Sequence, residues 1–241
     1  MRVFKLHLPL LLVALALTAC AKWPEGPNAN GWRLLPGRVE GLSYAPFRSG
    51  RQCWVYLPPG YATSARRYPV LYVNDGEYAF DRLYGGMRIN RICEDLIRRV
   101  EIEPIIVVAI ETAGRRYLEY VPAEEGDLYL RTIRDTLKPE IDRRYRTLTD
   151  SRNTAMTGGS LGGLISVYAG FAYDSTFGKV AGFSPSYGWW PGYEGFVRAR
   201  GRPRFLVRFY QDTGYPRDNS IRDMEALPWN KASFSVWTSC P

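Results

Sequence analysis

The chain has 241 residues, 46% of them hydrophobic and 14% aromatic, enough to bury one full core and too few for two enzyme domains. Its net charge of +8 comes mainly from arginines scattered along the chain. No basic run, aromatic interleaving or groove-reading motif accompanies them, so the charge reads as solvated faces and nucleic acid is not an expected partner.

Residues 1–19 carry Arg2 and Lys5, an apolar run from Leu8 to Leu17 and then small residues, the three regions of a secretory signal peptide. The run is too short for a permanent bilayer span. Leu17-Thr18-Ala19-Cys20 resembles the lipobox of bacterial lipoproteins. That resemblance implies an acyl-anchored Cys20 and a place in the bacterial cell envelope, tethered to a membrane without crossing it. Ala21 and Lys22, with no aspartate there, point by analogy to the outer membrane. Residues 20–41, rich in Pro, Gly and Asn, are expected to be a lipidated N-terminus and linker, with one folded domain over 42–241.

Within that domain Cys53–Leu57 reads as a strand stopped by Pro58-Pro59-Gly60, and Tyr68–Val73 as a second strand running into Asn74-Asp75-Gly76. Gly85 to Val100 has apolar residues at helical spacing. Pro104–Ile110 is an unbroken apolar run of strand length, which suggests a strand buried on both faces and hence a parallel sheet. Leu128 to Tyr145 reads as an amphipathic helix with a break or boundary forced by Pro139. Later strands are expected at Lys179–Phe183 and Arg204–Tyr210, with an aromatic loop from Ser184 to Tyr193 between them. Strands alternating with helices make an open α/β sheet, whose ligand sites lie beyond the strand carboxyl ends.

The stretch Thr154-Ala-Met-Thr-Gly-Gly-Ser-Leu-Gly-Gly163 lies at such an end. Gly158, Ser160 and Gly162 form a Gly-x-Ser-x-Gly elbow, a sharp turn from strand into helix that exposes the serine hydroxyl. Side chains at Gly158 or Gly162 would collide in such a turn. Cys53 and Cys93 either pair or remain buried thiols. No Cys, His, Asp and Glu cluster has metal-ligand spacing, so neither a metal nor a cofactor is expected.

Taken together, Val55–Tyr61, Leu71–Glu77, Glu119–Pro122, Leu137–Arg146, Met156–Gly163 and Phe183–Ser186 resemble the putative esterase family of α/β-hydrolases. The resemblance runs from about Gly50 to Leu227 and implies the α/β-hydrolase fold, with helices on both faces of a mostly parallel sheet. It also implies a serine hydrolase acting on small-molecule or carbohydrate-linked carboxylic esters, with a Ser-Asp/Glu-His triad in that chain order. Carried over by residue, Ser160 is the nucleophile and the Leu161 N–H one oxyanion donor. The backbone at Gly76 or Glu77 is the second donor. Family spacing favours Asp218 over Asp212 as the acid, and Trp189 and Trp190 either wall the pocket or pack.

Two departures stand against this. The only histidine is His7, inside the expected signal peptide. The tail 227–241 also differs from the family's ending, so the last strand and helix are expected to be missing, leaving an open sheet edge and an unstable chain. Reading the tail in a shifted frame from the Leu227 codon gives a helix end, a Gln-Gly-Phe turn and a strand, which suggests a frameshift that also removed the histidine. A non-catalytic pseudo-esterase binding a carbohydrate or acyl ligand, and an acyltransferase, are the rival readings. Oligomeric state is not legible.

Overall fold

A computed structural model describes residues 37–44, 50–80, 86–205, 208–213 and 234–238. Its strands are β1 (Arg38–Tyr44), β2 (Arg51–Leu57), β3 (Val70–Asn74), β4 (Ile106–Ile110), β5 (Thr154–Gly159), β6 (Lys179–Phe183), β7 (Arg208–Thr213) and β8 (Phe234–Thr238). They form one sheet in the order β1-β2-β4-β3-β5-β6-β7-β8. β2 runs antiparallel to both β1 and β4, and every other pair is parallel. This is the mostly parallel α/β sheet expected from the alternating pattern.

The sheet is two-faced because side chains alternate along each strand. Val70 and Tyr72 of β3 join Ile106, Val108 and Ile110 of β4 in one apolar core, while Leu71 and Val73 join Val107 and Ala109 in the other. All five β4 residues are fully buried, which explains its unbroken apolar sequence; each such Val or Ile contributes about 1.5–3 kcal/mol of burial.

The helices are α1 (Ile89–Arg98), α2 (Arg116–Glu119), α3 (Glu124–Thr132), α4 (Lys138–Arg144), α5 (Leu161–Ala172) and α6 (Tyr193–Arg200). Ile89, Cys93 and Leu96 of α1 cover the second core. α3, α5 and α6 place Leu130, Leu164, Ile165 and Val197 on the first. The helical pattern of 128–145 divides as Pro139 demands: a π-helical turn at Ile133–Leu137 separates α3 from α4, and the proline occupies the first turn of α4, where its missing N–H breaks no bond.

Two expectations are corrected here and one open alternative is decided. β1 begins at Arg38, inside the expected linker 20–41, and pairs with β2 from Arg38↔Leu57 to Tyr44↔Arg51. The last strand is present: Phe234–Thr238 lies parallel to β7, with Phe209↔Phe234 through Thr213↔Thr238 in register. Phe, Val and Thr at alternate positions suit the pleat without any change of frame. Cys53 and Cys93, finally, do not pair. One sits in each core, on opposite faces of the sheet, and burial raises both thiols, Cys53 to about 12.

Candidate active site

β5 is a central strand, and its chain must turn sharply to enter α5. Ser160 makes that turn with φ 55° and ψ −119°, a conformation rare for a residue with a side chain. Three backbone bonds hold it: its N–H donates to Phe183 O (2.8 Å), and its own carbonyl accepts from Leu164 (3.0 Å) and Ser186 (3.2 Å). The glycines answer to close approach. A Cβ on Gly158 would lie 2.6 Å from the backbone of Gly162, and one on Gly162 would lie 2.8 Å from Asp75 Oδ2. The result is a serine hydroxyl held out at the sheet's carboxyl edge, exposed to solvent.

The segment expected to supply the second oxyanion donor follows β3. Asn74, fully buried at its end, donates from Nδ2 to Gly162 O (3.2 Å) and Ser166 Oγ (3.0 Å) and accepts from the Tyr129 hydroxyl (2.6 Å). Asp75 follows in the left-handed conformation, φ 58°, and its N–H donates to the Tyr120 hydroxyl at 3.0 Å. Gly76–Tyr78 then form a short 3-10 turn whose first N–H groups have no acceptor within the turn. Leu161 opens α5 in the same way. Both expected sources of oxyanion donors therefore stand at the ends of adjacent parallel strands, pinned to each other through Asn74. The Glu77 side chain is engaged elsewhere, accepting from the Thr112 N–H (3.1 Å) and hydroxyl (2.6 Å).

Arg116, from α2, ties these two halves together. Its Nε donates to Asp75 Oδ1 (2.7 Å), and Nη2 donates to Asp75 Oδ2 (3.2 Å) and to Gly159 O (3.1 Å), one residue before Ser160. Burial pushes the Asp75 carboxyl above its ordinary range, and the guanidinium partly offsets this. Sequence reading missed Arg116, because its partner lies 41 positions away and no local pattern marks it. It also missed Ser186, whose Oγ stands 2.8 Å from Ser160 Oγ. A second serine hydroxyl can orient the first but is no base at neutral pH.

Asp212, the penultimate residue of β7, lies opposite Phe183 of β6. Its carboxylate accepts from the Ser184 N–H (2.8 Å) and hydroxyl (3.4 Å), and burial raises its pKa. It thereby fixes the left-handed Ser184 (φ 43°) at the root of the loop that carries Ser186. Asp218, His7 and Cys20 lie outside the described residues. The two loop tryptophans separate: Trp190 packs against Tyr168 and Phe196 with centroids 5.4 and 5.1 Å away, while Trp189 is 55% exposed.

Comparison with known proteins places this geometry. An uncharacterised Bacillus subtilis protein, YbbA, is 29% identical over 150 residues, 57% of each chain. The iron(III) enterobactin esterase of Escherichia coli K12 is 25% identical over 173 residues, 70% of this chain and 41% of that protein. The chain thus spans only about half the length of these relatives. Among solved structures, the enterochelin esterase of Shigella flexneri superposes with TM-score 0.71 at 19% identity, covering 90% of this chain and 57% of the other. The BES protein of Bacillus cereus gives 0.64 at 16%, covering 90% of both. The family model described as putative esterase matches residues 47–238, a span that takes in β2 through β8, the elbow, and the tail beyond Leu227 that had been set apart. On that match, and on a sheet and elbow built as such a protein requires, the chain belongs to the putative esterase family.

Proposed function

We propose that the site hydrolyses carboxylic esters through an acyl-serine at Ser160, with the tetrahedral oxyanion received by the Leu161 N–H and the backbone at Gly76 or Glu77. One observation carries this reading: the Ser160 backbone is held at φ 55° by three hydrogen bonds, which presents its hydroxyl beside two sets of helix-opening N–H groups. Asp218 is the acid of this scheme, and Asp212 serves the Ser184 turn. Cys20 anchors the protein in the envelope through its lipid.

A second reading is favoured by a specific observation: beyond His7 the 241 residues contain no imidazole to accept the Ser160 proton. Loss of one triad member removes several orders of magnitude in rate, leaving about 10³–10⁴-fold from the oxyanion hole and binding. On this reading the chain is a pseudo-esterase that binds an ester or carbohydrate ligand. Labelling the folded protein with a fluorophosphonate and mapping the adduct by mass spectrometry separates the two. Modification of Ser160, absent in Ser160→Ala and in urea-unfolded protein, supports the catalytic reading, and an unlabelled folded Ser160 refutes it for this chain.

A further inference from the structure

The arginines that lie scattered in the sequence are gathered by the fold. The parallel strands all start at one edge of the sheet, and the chain reaches each start from the end of a helix or, before β3, from the end of β2. These approach segments, 58–69, 98–105, 144–153, 173–178 and 200–205, lie side by side. Ile106 N–H donates to Pro69 O (2.9 Å), Leu148 N–H to Tyr68 O (2.8 Å), Gly178 N–H to Ser151 O (2.8 Å) and Arg208 N–H to Gly178 O (2.9 Å). They hold ten arginines and four carboxylates. At the opposite edge, where Ser160 opens, segments 75–80, 86–88, 111–123 and 184–192 hold three arginines and four carboxylates. Cations suit helix C-termini, which accounts for Arg98, Arg144 and Arg200. Arg66, Arg67, Arg152, Arg202 and Arg204 lie outside any α-helix and are exposed.

Two exposed apolar side chains stand on the same edge. Val100, 88% exposed, follows α1 in a Schellman turn: its N–H donates to Ile97 O (3.0 Å) and that of Glu101 to Leu96 O (2.9 Å). Its φ of 60° is the left-handed conformation that favours glycine at this position, so a β-branched side chain is held at the tip at a cost. Phe205, 50% exposed, precedes β7, and its N–H donates to Asp174 Oδ2 (3.1 Å). β4 and β7 are four strand spacings apart, about 19 Å, so the two apolar side chains flank the arginines between them. The chain also enters the fold here. β1, antiparallel to β2, runs parallel to β4, and Arg38 pairs with Leu57 beside the start of β4, 18 positions after Cys20. We propose that this edge docks on an anionic lipid bilayer, with Val100 and Phe205 entering the headgroup boundary and the arginines between them meeting the headgroups. A nucleic acid would offer phosphates to the arginines and nothing to Val100. The docking needs neither an acyl group on Cys20 nor turnover at Ser160. It turns Ser160 away from the bilayer, about 20 Å above it by the length of β5, so that, on the esterase reading, the ester arrives from the aqueous side.

The test is cosedimentation of the full chain with vesicles of phosphatidylcholine, alone or with about one third phosphatidylglycerol, at about 0.1 M salt. Residues 1–36 are common to every variant, so differences between variants report the edge. Each arginine at such a surface is worth about 5-fold, so Arg202→Gln combined with Arg204→Gln should weaken binding to the anionic vesicles at least about 10-fold. Arg131→Gln combined with Arg134→Gln removes the same charge midway along the helical stretch 124–144 and should weaken binding less than about 2-fold. Val100→Gly should weaken it at least about 3-fold while its urea midpoint matches or exceeds the parent's, because glycine takes a φ of 60° without strain. A merely structural role for Val100 would not separate those two readouts. Equal affinity for neutral and anionic vesicles, parent-level binding in the Arg202 and Arg204 double variant, equal losses in the two arginine pairs, or binding of a mixed-sequence duplex RNA with none of vesicles overturns the proposal. Fluorophosphonate labelling of the same samples reports on Ser160 separately: an unlabelled chain that docks sinks the catalytic reading and leaves the docking edge standing.

Discussion

Replacing Arg116 with Gln removes the guanidinium that binds both oxygens of Asp75 and the carbonyl of Gly159. Breaking a buried ion pair typically costs about 3–5 kcal/mol, because the remaining charge is left unpaired. The Arg116 side chain is 29% exposed and that of Asp75 only 10%, so solvent relieves part of this and about 2–3 kcal/mol is expected at pH 7. The loss should depend on pH. Burial already raises the Asp75 carboxyl against the pull of Arg116, and without that pull it rises further. A carboxyl with a folded pKa above its unfolded value of about 3.9 binds more protons in the folded state, so stability falls as pH rises through the folded pKa. Urea unfolding of Arg116→Gln should accordingly show its deficit largest at pH 7 and shrinking towards pH 4, as Asp75 protonates. Combining it with Asp75→Asn should recover part of the deficit at pH 7, where the lone carboxylate is gone. A variant within 0.5 kcal/mol of the parent, or a deficit independent of pH, would refute the account of this brace.

Asn74→Ala should cost about 2–3 kcal/mol in the same assay, since it removes three buried hydrogen bonds, to Gly162 O, Ser166 Oγ and the Tyr129 hydroxyl. It should also slow fluorophosphonate labelling of Ser160 if the parent labels; labelling and stability both at parent level would show that the elbow does not depend on β3. In a Cys20→Ser, Cys240→Ser background, Cys53 and Cys93 should resist Ellman's reagent in the folded protein, because burial raises both thiols, and both should react in urea. Reduction should leave the mass of that variant unchanged; a 2 Da gain, the two hydrogens of a reduced disulfide, would contradict the placement of the two cysteines on opposite faces of the sheet.

The elbow and the inner strands were legible because their constraints are local. Gly158 and Gly162 are dictated by contacts within the turn, and β4 advertises double-sided burial in five consecutive apolar residues. β1 was not legible. Its sequence, Arg-Val-Glu-Gly-Leu-Ser-Tyr, carries a glycine and charges suited to a sheet edge, and it gains strand character only by pairing with β2. β8 was not legible either, because the tail from Leu227 departs from the ending that the family resemblance implies, although Phe234, Val236 and Thr238 alternate as a strand requires. Arg116, Asn74 and Ser186 owe their roles to partners 26 to 92 residues distant, a separation that periodicity cannot sense.

The ladder between β3 and β5 runs Val70↔Thr154 to Val73↔Thr157, and the nucleophile and its facing loop leave the sheet just beyond it. The sheet thus works as a ruler for the site. A slip of one residue would move the two ends apart by about 3.3 Å, roughly the whole reach of a hydrogen bond, and would turn each side chain of the strand towards the opposite core. Two side chains span the same junction: Asn74 reaches Gly162 and Ser166, and Arg116 reaches both Asp75 and Gly159. Packing sets the register of the strands, and these two ties carry it past the last ladder pair to the place where chemistry depends on it.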